Sequence, residues 1–218
     1  MQWPLFADLP IDEVHAVLKI ARRRRFARNE VVFHRDDPGD SLHLIQKGRF
    51  GIRVMTPLGE TATIAVRGPG ESFGEMALVS ETARRSATVL ALEEAETFAV
   101  YREAFESLRT RYPGVNKVLI SFLANEVRAQ NERLLEALYL PVERRVLRRL
   151  VELTRLYPPR EDHPLIPLTQ EMIAEMAGTS RATANRVLNE EERRGTVALE
   201  RGKTRIIDLE ELRRRARY

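Results

Sequence analysis

The 218 residues predict an α+β chain in three sections: an N-terminal β-roll of jelly-roll-like texture, a long unbroken helix, and a C-terminal winged helix-turn-helix. Three observations carry that reading. From Glu30 to Tyr101, short alternating apolar runs are separated by turn signals, the mark of a small antiparallel sandwich or barrel. From Val115 to Ala137 no proline or glycine interrupts a three-and-four apolar repeat. After Pro141, two capped amphipathic segments flank Gly178, and a β-hairpin follows them.

Taken in order, Val14, Val17, Leu18 and Ala21 recur at helical spacing after Pro10 and give a short amphipathic helix. It runs into Arg22-Arg23-Arg24-Arg25, which reads either as a solvated face or as a partner-binding patch. Strands follow at Val31–Phe33, Ser41–Gln46, Phe50–Met55 and Thr61–Val66, with two more near Ala87–Leu92 and Thr97–Tyr101. Asp37-Pro38-Gly39, Lys47-Gly48, Pro57-Leu58-Gly59 and Gly68-Pro69-Gly70 supply the turns. Arg102 to Arg111 forms a helix leading to the long one.

The long helix lies between Tyr112-Pro113-Gly114 and Leu140-Pro141, and its roughly 23 residues make a rod of about 35 Å. Ile120, Leu123, Val127, Gln130, Leu134 and Ala137 have the spacing of a two-helix seam, with β-branched residues at one seam position, as two-stranded coiled coils favour. Leu119, Phe122, Leu135 and Leu138 make a second stripe toward the helix's own domain. Gln130 breaks the seam with Asn131 beside it, so the amides either fix the register of a dimer or meet a ligand at the subunit interface. Leu140-Pro141 is read as the hinge to the last section. There Val142–Leu156 is an arginine-rich helix ended by Tyr157-Pro158-Pro159, and a loop of mixed charge covers Arg160–Pro164. Thr169 and Ser180 cap the next two helices, and Val197–Leu199 with Thr204–Ile207 form the wing.

Composition narrows the function. Net charge is only +4, carried almost wholly by arginine, which suits bidentate phosphate and guanine contacts. Cysteine is absent, which excludes disulfides, iron–sulfur clusters and thiolate metal or haem sites. The four histidines, His15, His34, His43 and His163, do not cluster as a metal-dependent enzyme needs, and single exposed histidines are the expectation. Neither a signal peptide nor a membrane-length apolar run is found, so the expected location is the cytoplasm.

The most specific chemistry lies at Phe73-Gly74-Glu75-Met76-Ala77 and Arg84-Arg85-Ser86-Ala87. Gly74 lets backbone approach a ligand, and the residues after it open a one-turn helix whose N-terminus favours an anion. Glu75 fits such a site only by accepting from hydroxyls, as a carboxylate does on a ribose, while Arg85 and Ser86 serve a phosphate. These groups together suit a nucleotide whose one phosphate lies near its ribose.

On these residues the chain resembles the cyclic-AMP receptor protein family, also called the catabolite activator family, over nearly its whole length. The family's phosphate-binding cassette, Gly-Glu, nine residues, Arg-Ser-Ala, matches Gly74-Glu75 and Arg85-Ser86-Ala87. The resemblance implies a cyclic-nucleotide-binding roll with cyclic AMP as effector, bound by Gly74, Glu75, Met76, Ala77, Arg85 and Ser86. It assigns Glu75 to the ribose 2′-hydroxyl, and Arg85 and Ser86 to the cyclic phosphate. The family's two adenine-reading hydroxyl residues fall at Gln130 and Asn131, where amides replace them; amides can pair with adenine N6 and N7.

Ser180-Arg181-Ala182-Thr183-Ala184-Asn185-Arg186 is similar to the family's recognition helix, Ser-Arg-Glu-Thr with an arginine three residues on. Arg181 and Arg186 are the expected base or phosphate readers in the major groove. Ser180 and Thr183 are expected at phosphates, Asn185 at adenine or a phosphate, and Thr169 is counted with the DNA-binding residues. Ala182 replaces the family's glutamate, and so the acceptor that fixes a cytosine is missing. The resemblance implies that Arg22 and Arg24, near the family's basic patch, touch RNA polymerase.

The expectation is therefore a homodimeric DNA-binding transcription regulator, an activator, switched by cyclic AMP and reading a two-fold double-stranded site. Its sections are residues 1–111, 112–139 and 140–218. The alternative is a ligand-independent regulator of the same fold controlled by its abundance. A nucleotide-binding module serving a partner protein fits the recognition helix poorly. Nothing in the sequence asks for an enzyme.

Overall fold

In a computed structural model of the chain, the described residues are 3, 10–57, 59–79, 84–159 and 163–217. The expected loop Arg160–Pro164 therefore lies largely outside them. Two compact units are formed, one of residues 1–58 and 64–129, the other of 59–63 and 130–218.

The first unit begins with helix α1 (Ile11–Ile20) and strands β1 (Arg22–Phe26), β2 (Val31–Phe33), β3 (Ser41–Lys47), β4 (Phe50–Met55), β5 (Thr61–Arg67) and β6 (Ser72–Phe73). A single helical turn, α2 (Met76–Val79), precedes β7 (Thr88–Ala91) and β8 (Ala95–Tyr101). Helices α3 (Arg102–Arg111) and α4 (Gly114–Tyr139) follow. The strands make two four-stranded sheets, ordered β1-β8-β3-β6 and β2-β7-β4-β5. Phe26, Ile45, Phe50, Phe73, Val89 and Ala91 form one buried cluster of the roll. A second cluster joins α1, α3 and the start of α4 to the roll through Val17, Leu42, Leu44, Val100, Phe105, Leu108, Val115 and Leu119. Each such side chain withdrawn from water contributes about 1.5–3 kcal/mol.

Three expectations are corrected in the roll and along α4. The arginine run is a strand: β1 pairs with β8 in the register Arg22↔Ala99 to Phe26↔Ala95. Alternation then splits the run into two sets. Arg23 and Arg25 both reach Glu96, at 2.5 and 3.4 Å. Arg22 lies over the Tyr101 ring and Arg24 over Phe26. An edge strand charged at four of its five positions also discourages further pairing. His43 is 3% exposed rather than a surface histidine. On α4, Leu119 and Phe122 face their own domain as expected, but Leu135 and Leu138 are exposed.

The second unit takes the last turns of α4 and adds α5 (Val142–Leu156), β9 (Leu165–Ile166), α6 (Gln170–Ala177) and α7 (Arg181–Arg193). Strands β10 (Val197–Glu200) and β11 (Lys203–Ile206) form the wing with β9, and α8 (Leu209–Arg215) closes the unit. The expected hinge at Leu140-Pro141 is short but clamped. Leu140 is buried, and the buried Glu136 carboxylate accepts from both Arg148 and Arg149 of α5. Arg145 donates to the carbonyls of Ala137 and Gly178. Among the described residues, no helix is long and apolar enough to cross a membrane.

Candidate functional site

Residues 36–38 pair with 84–85 and set the Arg85 backbone: the Asp36 N–H donates to the Arg85 carbonyl, and the Arg85 N–H to that of Asp37. The side chain then runs into the roll and is 4% exposed. Its Nη1 donates to the carbonyls of Ser41 (2.7 Å) and Gly74 (3.2 Å), and its Nη2 to the Ser41 hydroxyl (3.0 Å). The guanidinium lies 4.0 Å from the centre of the Phe33 ring. Its Nε is buried with no hydrogen-bond partner among the described residues. Burial holds the Arg85 pKa below the usual arginine range, against the pull of Asp40, Glu75 and Asp37.

Gly74 also serves the arginine itself. It adopts φ +87°, and a Cβ there would stand 2.7 Å from Arg85 Nη1 and 3.0 Å from the Ser41 carbonyl. The glycine makes room for the arginine and aims its own carbonyl at it. Gly39 clears space from the facing turn, where a Cβ would meet Ala77 at 2.4 Å and Arg85 at 3.1 Å. The following helix, α2, is one turn long, so its dipole is small and the positive charge of the site is that of Arg85. Arg102 of α3 donates to the carbonyls of Ala77 and Leu78 and anchors that turn.

Glu75 is half-buried, and burial followed by the Glu126 carboxylate raises its pKa, while Arg67 and Arg85 pull it down. Arg67 bonds Glu71 at 3.0 Å and Glu126 of α4 at 2.5 Å. The cassette residues Gly74, Glu75, Ala77 and Arg85 are thus gathered, with Met76 and Ser86 exposed beside them. Gln130 and Asn131 are exposed on α4. Sequence reasoning missed Phe33, Gly39, Ser41 and His43 around the arginine; the Asp37-Pro38-Gly39 turn before β3 was their only signal.

In the second unit, Thr169 accepts from the Met172 N–H and Ser180 from that of Thr183, so both capping expectations are met. Gly178 makes the turn at φ +60° in the left-handed region. Ala184, Val187, Leu188 and Glu191 of α7 are buried, which turns Arg181, Ala182 and Arg186 outward. Arg181 has no partner among the described residues, whereas Arg186 rests on Glu143 at 2.7 Å. Asn185 turns back, donating to Gln170 Oε1 (2.6 Å) and accepting from Asn189 Nδ2 (2.7 Å). At the wing tip, Arg201 and Lys203 flank Gly202 and are exposed.

Two family models match this chain: a cyclic nucleotide-binding domain over residues 23–112 and a Crp-like helix-turn-helix domain over 144–215. The cyclic AMP receptor protein of Thermus thermophilus is 33% identical over 203 residues, covering 93% of this chain and 92% of its own. The chain belongs to the cyclic-AMP receptor protein family of transcription regulators. The CRP-like cAMP-activated global transcriptional regulator of Mycobacterium tuberculosis is 30% identical over 216 residues, covering 98% of this chain and 96% of its own. Among solved structures, the Thermus thermophilus catabolite activator protein is similar at 32% identity and TM-score 0.58, with 98% of each chain covered. As a family member the chain is a DNA-binding transcription regulator with a cyclic-nucleotide-binding domain.

Proposed function

We propose that this regulator is a cytoplasmic homodimeric transcription activator switched by cyclic AMP. The observation that carries the reading is the buried Arg85. Three acceptors hold its Nη atoms, while Nε and the adjoining edge of Nη2 form the side-on fork with which arginine grips a phosphate. Glu75 beside it offers a carboxylate to a ribose hydroxyl, and the exposed Ser86 its hydroxyl to the phosphate. Gln130 and Asn131 offer amides to adenine N6 and N7. The names of the Thermus and Mycobacterium relatives, which specify cyclic AMP, support the same ligand.

Dimerisation is supported by Ile120, Val127 and Leu134, seven residues apart on α4 and 66%, 59% and 57% exposed in the single chain. A two-fold site with half-sites about 34 Å apart suits such a dimer. Thr169, Ser180, Arg181, Ala182, Thr183, Asn185 and Arg186 make up the reading surface, and Arg201 and Lys203 of the wing add phosphate contacts. Arg22 and Arg24, left outside the Glu96 cluster, suit a contact to RNA polymerase. The functional division runs 1–111, 112–139 and 140–218.

Calorimetric titration tests the ligand: cyclic AMP binds at micromolar strength if the reading holds. No binding by the wild-type protein promotes the ligand-independent regulator instead.

A further inference from the structure

Arg85 rests on a line of buried polar groups that the cassette motif does not include. The Ser41 hydroxyl accepts from Arg85 Nη2 at 3.0 Å and lies 3.0 Å from Asp40 Oδ1, to which it donates. His43 Nε2 stands 3.5 Å from the same hydroxyl, a long contact, and His43 Nδ1 is 3.0 Å from Thr97 Oγ1. Ser41, His43 and Thr97 are all at most 5% exposed. Sheet register fixes the line. His43 of β3 sits opposite Phe73 of β6, so the two rings stack at 4.9 Å and 5°. With the proton on His43 Nε2 every member is satisfied: Thr97 donates to the imidazole, the imidazole and Arg85 donate to Ser41, and Ser41 donates to Asp40.

A hydroxyl and an imidazole in the apolar middle of a roll cost desolvation that a valine and a leucine would not. What they do there follows from Asp40. Its carboxylate is 3.6 Å from Arg85 Nη2 and mostly exposed, the nearest group able to take the arginine's charge. Ser41 stands between the two, bonding both.

We propose that Ser41, backed by His43 and Thr97, is a positioning residue of the anion site: it holds the Arg85 fork open and keeps Asp40 from closing on it. This rests on the reading that Arg85 takes the phosphate of a nucleotide. Without the Ser41 hydroxyl, Nη2 turns to Asp40 and the anion meets an arginine already neutralised.

The test uses the full chain in four forms: wild type, Ser41→Ala, Thr97→Val and the double variant Ser41→Ala/Asp40→Asn. Cyclic AMP affinity is read by calorimetry, and the Arg85 Nε–H resonance is read by NMR without ligand, assigned from its loss in Arg85→Lys. Ser41→Ala should bind about tenfold more weakly, and Thr97→Val, one step further away, about threefold. The added Asp40→Asn should restore most of the loss, which a purely structural defect would not allow. Ser41→Ala binding like wild type, or no rescue by Asp40→Asn, overturns the proposal. Should the wild-type protein bind no cyclic AMP, the ligand reading fails and the resonance decides. A shift in Ser41→Ala that reverts in the double variant upholds the positioning role, and an unmoved resonance refutes it.

Discussion

The arginine of the cassette and the arginines of the recognition helix use the same side chain in opposite ways. Arg85 is buried, oriented by three acceptors on Ser41 and Gly74, and its ordering is complete before any ligand arrives. Arg181 is exposed and free among the described residues, and Arg186 leans on Glu143 with both side chains more than half exposed. A pre-ordered buried donor loses little entropy on binding and tolerates no replacement. An exposed arginine is ordered only on the DNA, so its contribution is smaller and falls with salt.

The largest expected effect tests the buried side of that contrast. Arg85→Ala should weaken cyclic AMP binding at least about 30-fold, since losing a buried charge partner costs on the order of 2–5 kcal/mol. Arg84→Ala should change little, because Arg84 is exposed and, among the described residues, its side chain donates only to the Asp36 carbonyl. Equal losses for both in calorimetry would mean that the cassette is aligned wrongly. Glu136→Ala carries the test into the second unit. It leaves Arg149, 4% exposed, with Glu152 alone at 3.1 Å, and should destabilise the protein by about 3 kcal/mol in urea unfolding. A loss below about 1 kcal/mol would show that burial does not set the value of an arginine pair here.

Beneath Arg85, His43 adds a pH dependence. Burial, then the charges of Arg85 and Arg24, lowers its pKa to about 3 from 6.5. Between those values the unfolded chain binds the proton and the folded chain does not, so stability is full above pH 6.5 and falls as pH drops toward 3. From pH 7 to 5 the fall should be about 2 kcal/mol, the slope approaching about 1.4 kcal/mol per unit below pH 6. His43→Asn should flatten that slope in unfolding measured against pH, and an unchanged slope assigns the acid sensitivity elsewhere.

The legibility of the sequence differed between the two sites for a physical reason. The recognition helix is local: Thr169, Gly178 and Ser180 are read from spacing, and the structure seats each as expected. The surroundings of Arg85 are non-local, because β3, β6 and β8 meet only through sheet register. No periodicity tells that His43 lies beside Phe73, or that Gly39 and Gly74 clear space for one guanidinium. The arginine run misled for a related reason. Its charge hid a strand whose identity comes from pairing with β8 and from Glu96. On α4, the apolar repeat alone could not tell that Leu119 and Phe122 would be covered while Leu135 and Leu138 stay exposed.

The smallest effect tests the exposed side. With Ala182 lacking an acceptor, affinity at that base pair should vary by less than about 1 kcal/mol at fixed salt. Ala182→Glu should sharpen it toward cytosine. Wild-type discrimination for cytosine above about 1 kcal/mol would mean that another side chain reads that position, Asn185 only after leaving Gln170 and Asn189.

The central claim is that a nucleotide on the buried arginine governs what the exposed ones do. The direct measurement is the affinity for a two-fold DNA site, at one salt concentration, with and without saturating cyclic AMP. The expected result is an affinity raised about tenfold or more, matched by an equal gain in cyclic AMP affinity when DNA is bound. DNA affinity unchanged by saturating cyclic AMP would contradict it.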